Sequence, residues 1–171
     1  MKRLLSLFIC LFITILALNA QSTTFRFSMS SDGTGLCIDK YTGDSQYVVI
    51  QSSYDGLAVK EIGDYAFAGT DIISVKIPDC VEHILTRAFY QCYNLTTVTL
   101  PKGLDYIGHE AFAFCSNLYS VDVRVFLRAG GNITMNWAFF EGQGISNFLG
   151  CSSLPMSTQI QLIKLGYSGS F

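Results

Sequence analysis

The chain has few basic residues and no cluster of them. Its 171 residues include 11 lysines and arginines against 13 aspartates and glutamates. Beyond the first three residues, the basic side chains occur singly along the sequence. A surface that binds nucleic-acid phosphates needs several lysines or arginines close together. The composition therefore argues against nucleic acid as a partner.

The motifs of common enzyme classes are also missing. His109-Glu110 begins like a metalloprotease helix, but Ala113 stands where the second histidine is required. Gly166–Gly169 has the wrong spacing for the turn that holds a hydrolase serine, and Gly142–Gly144 lacks the third glycine of a dinucleotide loop. The sequence therefore predicts neither an enzyme nor a cofactor.

Close cysteine pairs of the Cys-x-x-Cys type, which zinc sites commonly use, are absent as well. The six cysteines are widely separated, so we expect no metal site. Half of the residues are hydrophobic, so a core can form without a disulfide framework.

The first twenty residues have the pattern of a secretory signal peptide. Lys2 and Arg3 precede an apolar run, Leu4–Leu18, that only Ser6 and Thr14 interrupt. As a helix this run would span roughly 22 Å, which is short of a bilayer core of about 30 Å. We therefore expect cleavage after Ala20, no stable transmembrane anchor, and a mature chain with a net charge of −4.

A repeat of 23 residues runs through the middle of the chain. The segments Ala88–Val98 and Ala111–Val121 share Ala, Phe, Cys, Asn, Leu and Val in register. The same step leads back from Val98 to Val75, and a step of 22 leads from Ala88-Phe89 back to Ala66-Phe67. A period of this length is typical of stacked units that each need a neighbour to bury their apolar face.

Each unit contains apolar residues in the spacing L-x-x-L-x-L, which predicts a strand with three inward side chains. Proline follows directly at Pro78 and Pro101, where a strand end loses no ladder donor. The predicted inward residues are Ile72, Val75 and Ile77, then Leu95, Val98 and Leu100, then Leu118, Val121 and Val123.

The full unit, A-F-x-x-C-x-N-L-T-x-V-x-L-P-x-x-L-x-x-I-G, resembles the BspA-like leucine-rich repeat family over about 48–127. The resemblance implies a right-handed solenoid with short strands on one face and turns or short helical pieces on the other. It also implies extracellular display and a role in adhesion or other protein recognition.

The expected fold is a β-rich α/β solenoid, a short leucine-rich-repeat array that is capped at both ends. After the signal peptide (1–20), we expect a β-hairpin cap in 21–47 and repeats in 48–127. Residues 128–146 do not match the unit and are expected to form an insertion loop. Residues 147–171 are expected to hold a partial repeat, in which Cys151 aligns with Cys115, and a helical cap over Pro155–Leu165.

Three cysteines occupy one position of the repeat. Cys92, Cys115 and Cys151 are therefore expected to form a buried column inside the solenoid. Cys37 and Cys80 lie outside this position, so we expect them to be exposed or paired.

The candidate binding residues are the outward positions of the repeat strands, because regular solenoids present extended faces to their partners. They are Ile73, Ser74, Lys76, Thr96, Thr97, Thr99, Tyr119, Ser120 and Asp122. The aromatic residues Trp137 and Phe140 of the insertion form a rival contact site.

We therefore expect a secreted or cell-surface protein that recognises or adheres to an extracellular or host protein, with a surface glycan as the second partner class. Two alternatives stay open at this point. One is a secreted hydrolase whose catalytic groups converge without a motif. The other is a fragment that self-associates by end-to-end stacking and has no external ligand.

Overall fold

The computed structural model describes residues 24–122 and two further strands at 134–135 and 147–149. Within this part the chain forms twelve strands and no helix. The signal peptide and the predicted cap helix lie outside the described residues. The strands are β1 Phe25–Met29, β2 Leu36–Tyr41, β3 Tyr47–Val49, β4 Ser53–Tyr54, β5 Leu57–Ile62, β6 Ser74–Lys76, β7 His83–Ile84, β8 Thr97–Thr99, β9 Tyr106–Ile107, β10 Ser120–Asp122, β11 Thr134–Met135 and β12 Asn147–Leu149.

The strands form two sheets, and in every repeat the chain passes from sheet 2 to sheet 1 and back. Sheet 1 has the order β1-β2-β5-β7-β9-β11, with β4 paired to β5, and sheet 2 has the order β12-β10-β8-β6-β3. The strands from successive repeats are parallel in both sheets. The predicted solenoid is confirmed, and it is built from about three turns of short strands.

The inward residues of sheet 2 are those that the spacing predicts. Val75 pairs with Val98, and Val98 pairs with Val121, in one row across the sheet. All three valines are nearly inaccessible to solvent, as are the flanking Ile72 and Leu95. Because side chains alternate along a strand, the residues between them face outward.

Sheet 1 was not predicted as a sheet. The repeated isoleucines Ile62, Ile84 and Ile107 are buried in it, and they pair with one another at the ends of β5, β7 and β9. The resemblance predicted turns or short helical pieces opposite the first face. The described residues instead form a second sheet there, and the turns join the two sheets.

The turns contain a stack of aromatic rings. The rings of Phe67 and Phe89 are 4.8 Å apart at 16°, and those of Phe89 and Phe112 are 5.0 Å apart at 3°. Tyr41 of the hairpin stacks on Phe67 at 5.2 Å. The Ala-Phe pair of the repeat thus forms a buried aromatic stack that runs along the solenoid.

Backbone hydrogen bonds join the turns of neighbouring repeats. The Phe67 N–H donates to the Ala88 carbonyl, and the Phe89 N–H donates to the Ala111 carbonyl, each at 2.7 Å. Equivalent turn residues also share a left-handed backbone, as in Gly69, Gln91 and Phe114 with φ of 69°, 58° and 60°. The turns are therefore as regular as the strands between them.

The predicted N-terminal hairpin is present. Strands β1 and β2 pair antiparallel, and β2 continues sheet 1 by pairing parallel with β5. Phe25 and Phe27 are buried under the first repeat. The hairpin therefore covers the edge of sheet 1 that would otherwise be exposed.

The cysteine column is confirmed for its two described members. Cys92 and Cys115 are fully buried, and their thiols donate to the Phe67 and Phe89 carbonyls at 3.1 and 3.0 Å. The prediction that Cys37 is exposed or paired is wrong, because Cys37 is a buried thiol on β2. Burial raises its pKa to about 12. Cys80 is a half-buried thiol that donates to the Ser52 carbonyl.

Strands β11 and β12 continue sheet 1 and sheet 2 with residue pairings that the sequence analysis did not predict. Strand β11 pairs with β9, and it falls within the segment predicted as an insertion. In β12, Phe148 pairs with Val121. The predicted alignment of Cys151 with Cys115 placed Phe148 at the position of Phe112 instead, so that alignment is wrong. The five segment boundaries given above stay predictions.

Candidate binding surface

The outward residues of sheet 2 lie in straight rows across the strands, which we call the strand surface. In one row Tyr47 pairs with Ser74, Ser74 with Thr97, and Thr97 with Ser120. In the other row the paired residues are, in order, Val49, Lys76, Thr99 and Asp122. The register of the sheet thus brings the predicted residues of β6 and β8 together on one surface, and it pairs the β8 residues with Ser120 and Asp122 of β10.

A third row lies just before the strands and contains Ile73, Thr96 and Tyr119. Thr96 donates its hydroxyl to the Ile73 carbonyl at 3.2 Å, and both residues are half-buried. Tyr119 is 54% exposed. Tyr119 is therefore the member of this row that is best placed to contact a partner.

Tyr47 and Val49 are two residues of the strand surface that the sequence analysis missed. They are the most exposed large hydrophobic side chains of the described residues, at 67% and 57%. Tyr47 precedes its neighbour Ser74 by 27 residues because the first repeat is longer than the others. The predicted repeats do begin at residue 48, but the outward positions of this longer first unit were not included among the candidate residues.

A groove of about 370 Å³ lies on the strand surface over β3, β6 and β8. Side chains of three kinds line it: the apolar Tyr47 and Val49, the hydroxyl-bearing Ser74, Thr97 and Thr99, and the charged Lys76 and Asp79. A concave site with apolar walls and a few polar groups is suited to ligand binding. The geometry therefore favours this end of the strand surface.

The two charged side chains that line the groove differ in whether they form an ion pair. Asp79 pairs with Lys102, with Nζ 3.2 Å from Oδ2, and both side chains are exposed. Lys76 is exposed, and it belongs to none of the ion pairs found among the described residues. The groove therefore carries one positive charge that no described neighbour compensates.

A polar cluster around the buried Glu61 lies on sheet 1, away from the groove. His83 contacts Glu61 through Nδ1 at 3.0 Å and Asp105 through Nε2 at 3.2 Å. The Ser31 hydroxyl and N–H both donate to the Glu61 carboxylate. In a hydrolase triad the serine contacts the imidazole, but here it contacts the carboxylate. These contacts attach the hairpin to the first repeats.

Among the described residues, no group of three or more histidine, cysteine, aspartate or glutamate side chains could hold a metal ion. Trp137 and Phe140, the rival contact residues, lie outside the described residues.

Comparison with known families agrees with this architecture. A model of the BspA-type leucine-rich repeat region matches residues 46–156 in six copies. The chain belongs to the BspA-type leucine-rich repeat family. Proteins built from these repeats are in general scaffolds for protein interaction.

Solved bacterial structures have the same fold as this BspA-type protein. A leucine-rich repeat protein of T. pallidum has a TM-score of 0.60 at 24% identity, over 88% of this chain and 97% of its own. One from Bacteroides capillosus has a TM-score of 0.62 at 26% identity, over 75% and 96%. A leucine-rich cell surface protein of Faecalibacterium prausnitzii has a TM-score of 0.56 at 25% identity, over 75% of this chain and 41% of its own.

No curated protein shows a significant match to the sequence. The described residues of this BspA-type chain include no helix long and apolar enough to cross a bilayer.

Proposed function

We propose that this protein is exported and recognises an extracellular protein, such as one on a host surface, through its strand surface. The observation that carries the proposal is the register of sheet 2, which aligns outward residues from successive repeats beside a groove of about 370 Å³. The family supports protein interaction as the role of such a surface.

Export is supported by the sequence of residues 1–20 and by one relative that is described as a cell surface protein. The test is N-terminal sequencing of the protein recovered outside a bacterial cell that expresses the full chain. We expect the mature protein to begin at Gln21. Recovery of only the uncleaved chain inside the cell would contradict export through a signal peptide.

Binding through the strand surface is tested by affinity capture from a mixture of host extracellular proteins. The double variant Tyr47→Ala with Tyr119→Ala removes two exposed rings from this surface. We expect it to capture less of whichever protein the unchanged chain enriches, because buried aromatic side chains dominate interface energies.

Tyr93→Ala is the matched control, because Tyr93 is 52% exposed and lies in a turn. Equal losses in the double variant and the control would contradict a specific role for the strand surface. In the same assay Trp137→Ala tests the rival contact site.

A further inference from the structure

Strand β3 is an open edge of sheet 2. The hairpin covers the corresponding edge of sheet 1, but among the described residues β3 pairs with β6 alone. The Gln46 carbonyl and the Ile50 N–H bond to β6, so alternation along the strand directs the N–H and C=O of Tyr47 and Val49 away from it. These outward groups can pair with another extended chain.

The structure leaves one of these two residues available. Ser45 Oγ lies 2.9 Å from the Tyr47 carbonyl and 3.3 Å from the Tyr47 nitrogen, so it satisfies both of that residue's backbone groups. Alternation directs the Val49 N–H and C=O away from the ladder with β6, and outside the ladders no backbone hydrogen bond to Val49 is found among the described residues. The edge thus offers one N–H and one C=O, the pair that an added strand uses.

The side chains beside this edge define the chemistry of the added strand. Tyr47 and Val49 present exposed apolar surface, which a neighbouring strand would cover. Lys76 lies next to Val49 in the register, and its ammonium group has no ion pair among the described residues. The hydroxyls of Thr97 and Thr99 also have no hydrogen bond within the described part, whereas Thr96 uses its own internally.

We propose that the strand surface binds an extended protein segment that pairs with Val49 at the edge of β3 and presents a carboxylate side chain to Lys76. This inference rests on the proposed function and specifies its partner. A single ammonium group with neighbouring hydroxyls suits a carboxylate. The open backbone pair at Val49 selects a peptide, since a sugar or a free anion has no backbone to match it.

The probe is the seven-residue peptide TVTETVT, compared with TVTQTVT, in which glutamine replaces the glutamate. Amide NMR shifts of the full chain are followed as each peptide is added. We expect the glutamate peptide to bind about fivefold more tightly, since a partly exposed ion pair contributes about 1 kcal/mol. Its advantage should shrink when salt rises from about 0.05 M to about 0.5 M.

Variants of the lysine test the ion pair. Lys76→Met should remove the preference for the glutamate peptide, and Lys76→Glu should instead favour the lysine peptide TVTKTVT. Lys40→Met is the matched control, because Lys40 lies on sheet 1 and donates to the Tyr65 carbonyl. Equal affinities for the glutamate and glutamine peptides, or no shifts up to about 2 mM, would overturn the proposal.

The edge pairing has its own readout. Peptide binding should shift the Val49 amide resonance and should protect this amide from hydrogen exchange. Val49→Pro removes the N–H and should abolish binding of the glutamate peptide, with circular dichroism confirming that the variant is folded. Shifts that are confined to Thr97 and Thr99 would reject addition to the edge.

Failure of this proposal can be distinguished from failure of the proposed function. If the peptides do not bind while Tyr47→Ala with Tyr119→Ala still lowers capture of an extracellular protein, then the strand surface binds in another way. If neither experiment gives a difference, the strand surface itself is rejected as the binding site.

Discussion

The phenylalanine at the centre of the aromatic stack shows how strongly one residue can connect the repeats. Phe89 is fully buried and lies between the rings of Phe67 and Phe112, at 4.8 and 5.0 Å. Phe89→Ala would leave a cavity that the backbone hydrogen bonds on both sides prevent from closing. We expect the free energy of unfolding to fall by about 3–5 kcal/mol, measured by urea denaturation.

Tyr93→Ala, four residues further along the same turn, removes an aromatic ring that is half-exposed, and should cost far less. Similar losses in both variants would indicate that the stack does not stabilise the fold.

Glu61 is the residue whose titration should be visible in the stability of the fold. Burial alone raises its pKa, but hydrogen bonds from Ser31 and His83 lower it more, so the pKa lies below the ordinary value of 4.5. Such a group adds stability above its unfolded-state pKa, and this contribution is lost as the pH falls through the folded-state pKa. We therefore expect the free energy of unfolding to decrease as the pH falls below about 4.5.

The variant Glu61→Gln isolates this effect. It removes the charged acceptor, so at neutral pH it should lower the free energy of unfolding by about 1.5–3 kcal/mol. The acid dependence should also become shallower than in the unchanged chain. Asp32 and Glu110 titrate in the same sense, because hydrogen bonds from Ser30 and Arg87 lower their pKa values, so some dependence will remain. Parallel curves for both proteins would contradict a role for Glu61.

At the scale of single residues, burial could be predicted from the sequence at the repeat positions but not for residues outside the repeat. Val75, Val98 and Cys92 are buried as expected, because one position in every unit meets the same surroundings. Cys37 belongs to the hairpin, which has no equivalent to compare with. Its burial follows from the pairing of β2 with β5, a contact between segments with no shared pattern.

Among the elements, the turns approach each other so closely that one of them depends on glycine. A Cβ atom at Gly108 would lie 2.6 Å from the backbone carbon of Leu85 and from the nitrogen of Thr86. Gly108→Ala should therefore force β9 and β7 apart and cost about 1–3 kcal/mol of stability. Thermal unfolding followed by circular dichroism measures this loss.

Ser116→Ala, in an exposed turn of the same repeat, is the control and should leave the midpoint nearly unchanged. If the two variants unfold at the same temperature, then the spacing between β7 and β9 is not limited by the glycine.

The strands of sheet 2 could be predicted because their three-residue pattern recurs at one period. In sheet 1, strands β7 and β9 have two residues each, which is too short for an alternation to be read. The outward residues of β3 were missed because additional residues lengthen the first repeat, which made it look like a cap. The register of β12 was predicted wrongly because the alignment was based on matching Cys151 with Cys115, whereas the strand pairs Phe148 with Val121.

For the molecule as a whole, the hairpin cap protects the N-terminal end of the solenoid from association with other chains. Deleting residues 24–41 would expose the edge of β5 and the face of Phe67 that Tyr41 covers. An open strand edge beside apolar surface promotes association between chains. We expect the deletion variant to form aggregates that light scattering detects across a concentration series.

Arg26→Ala changes an exposed side chain of the same hairpin. This control variant should scatter light no more than the unchanged chain does. A deletion variant that stays dispersed and folded would show that the repeats do not need this cap.

At the molecular scale, the sequence was sufficient for the family, the solenoid and the N-terminal cap. These follow from a repeat that is present several times and from a hairpin with clear alternation. The groove over β3, β6 and β8 was not predictable, since it depends on which repeats stand side by side and on how far the side chains of Tyr47 and Lys76 extend.

The alternation of buried and outward residues in sheet 2 has a practical consequence for protein engineering. Val75 and Val98 hold neighbouring strands together, while the residues on either side of them contribute little to the interior. Positions 74, 76, 97 and 99 can therefore be randomised together in a display library without repacking the protein. Selection from such a library would yield binders to targets that this chain has never encountered.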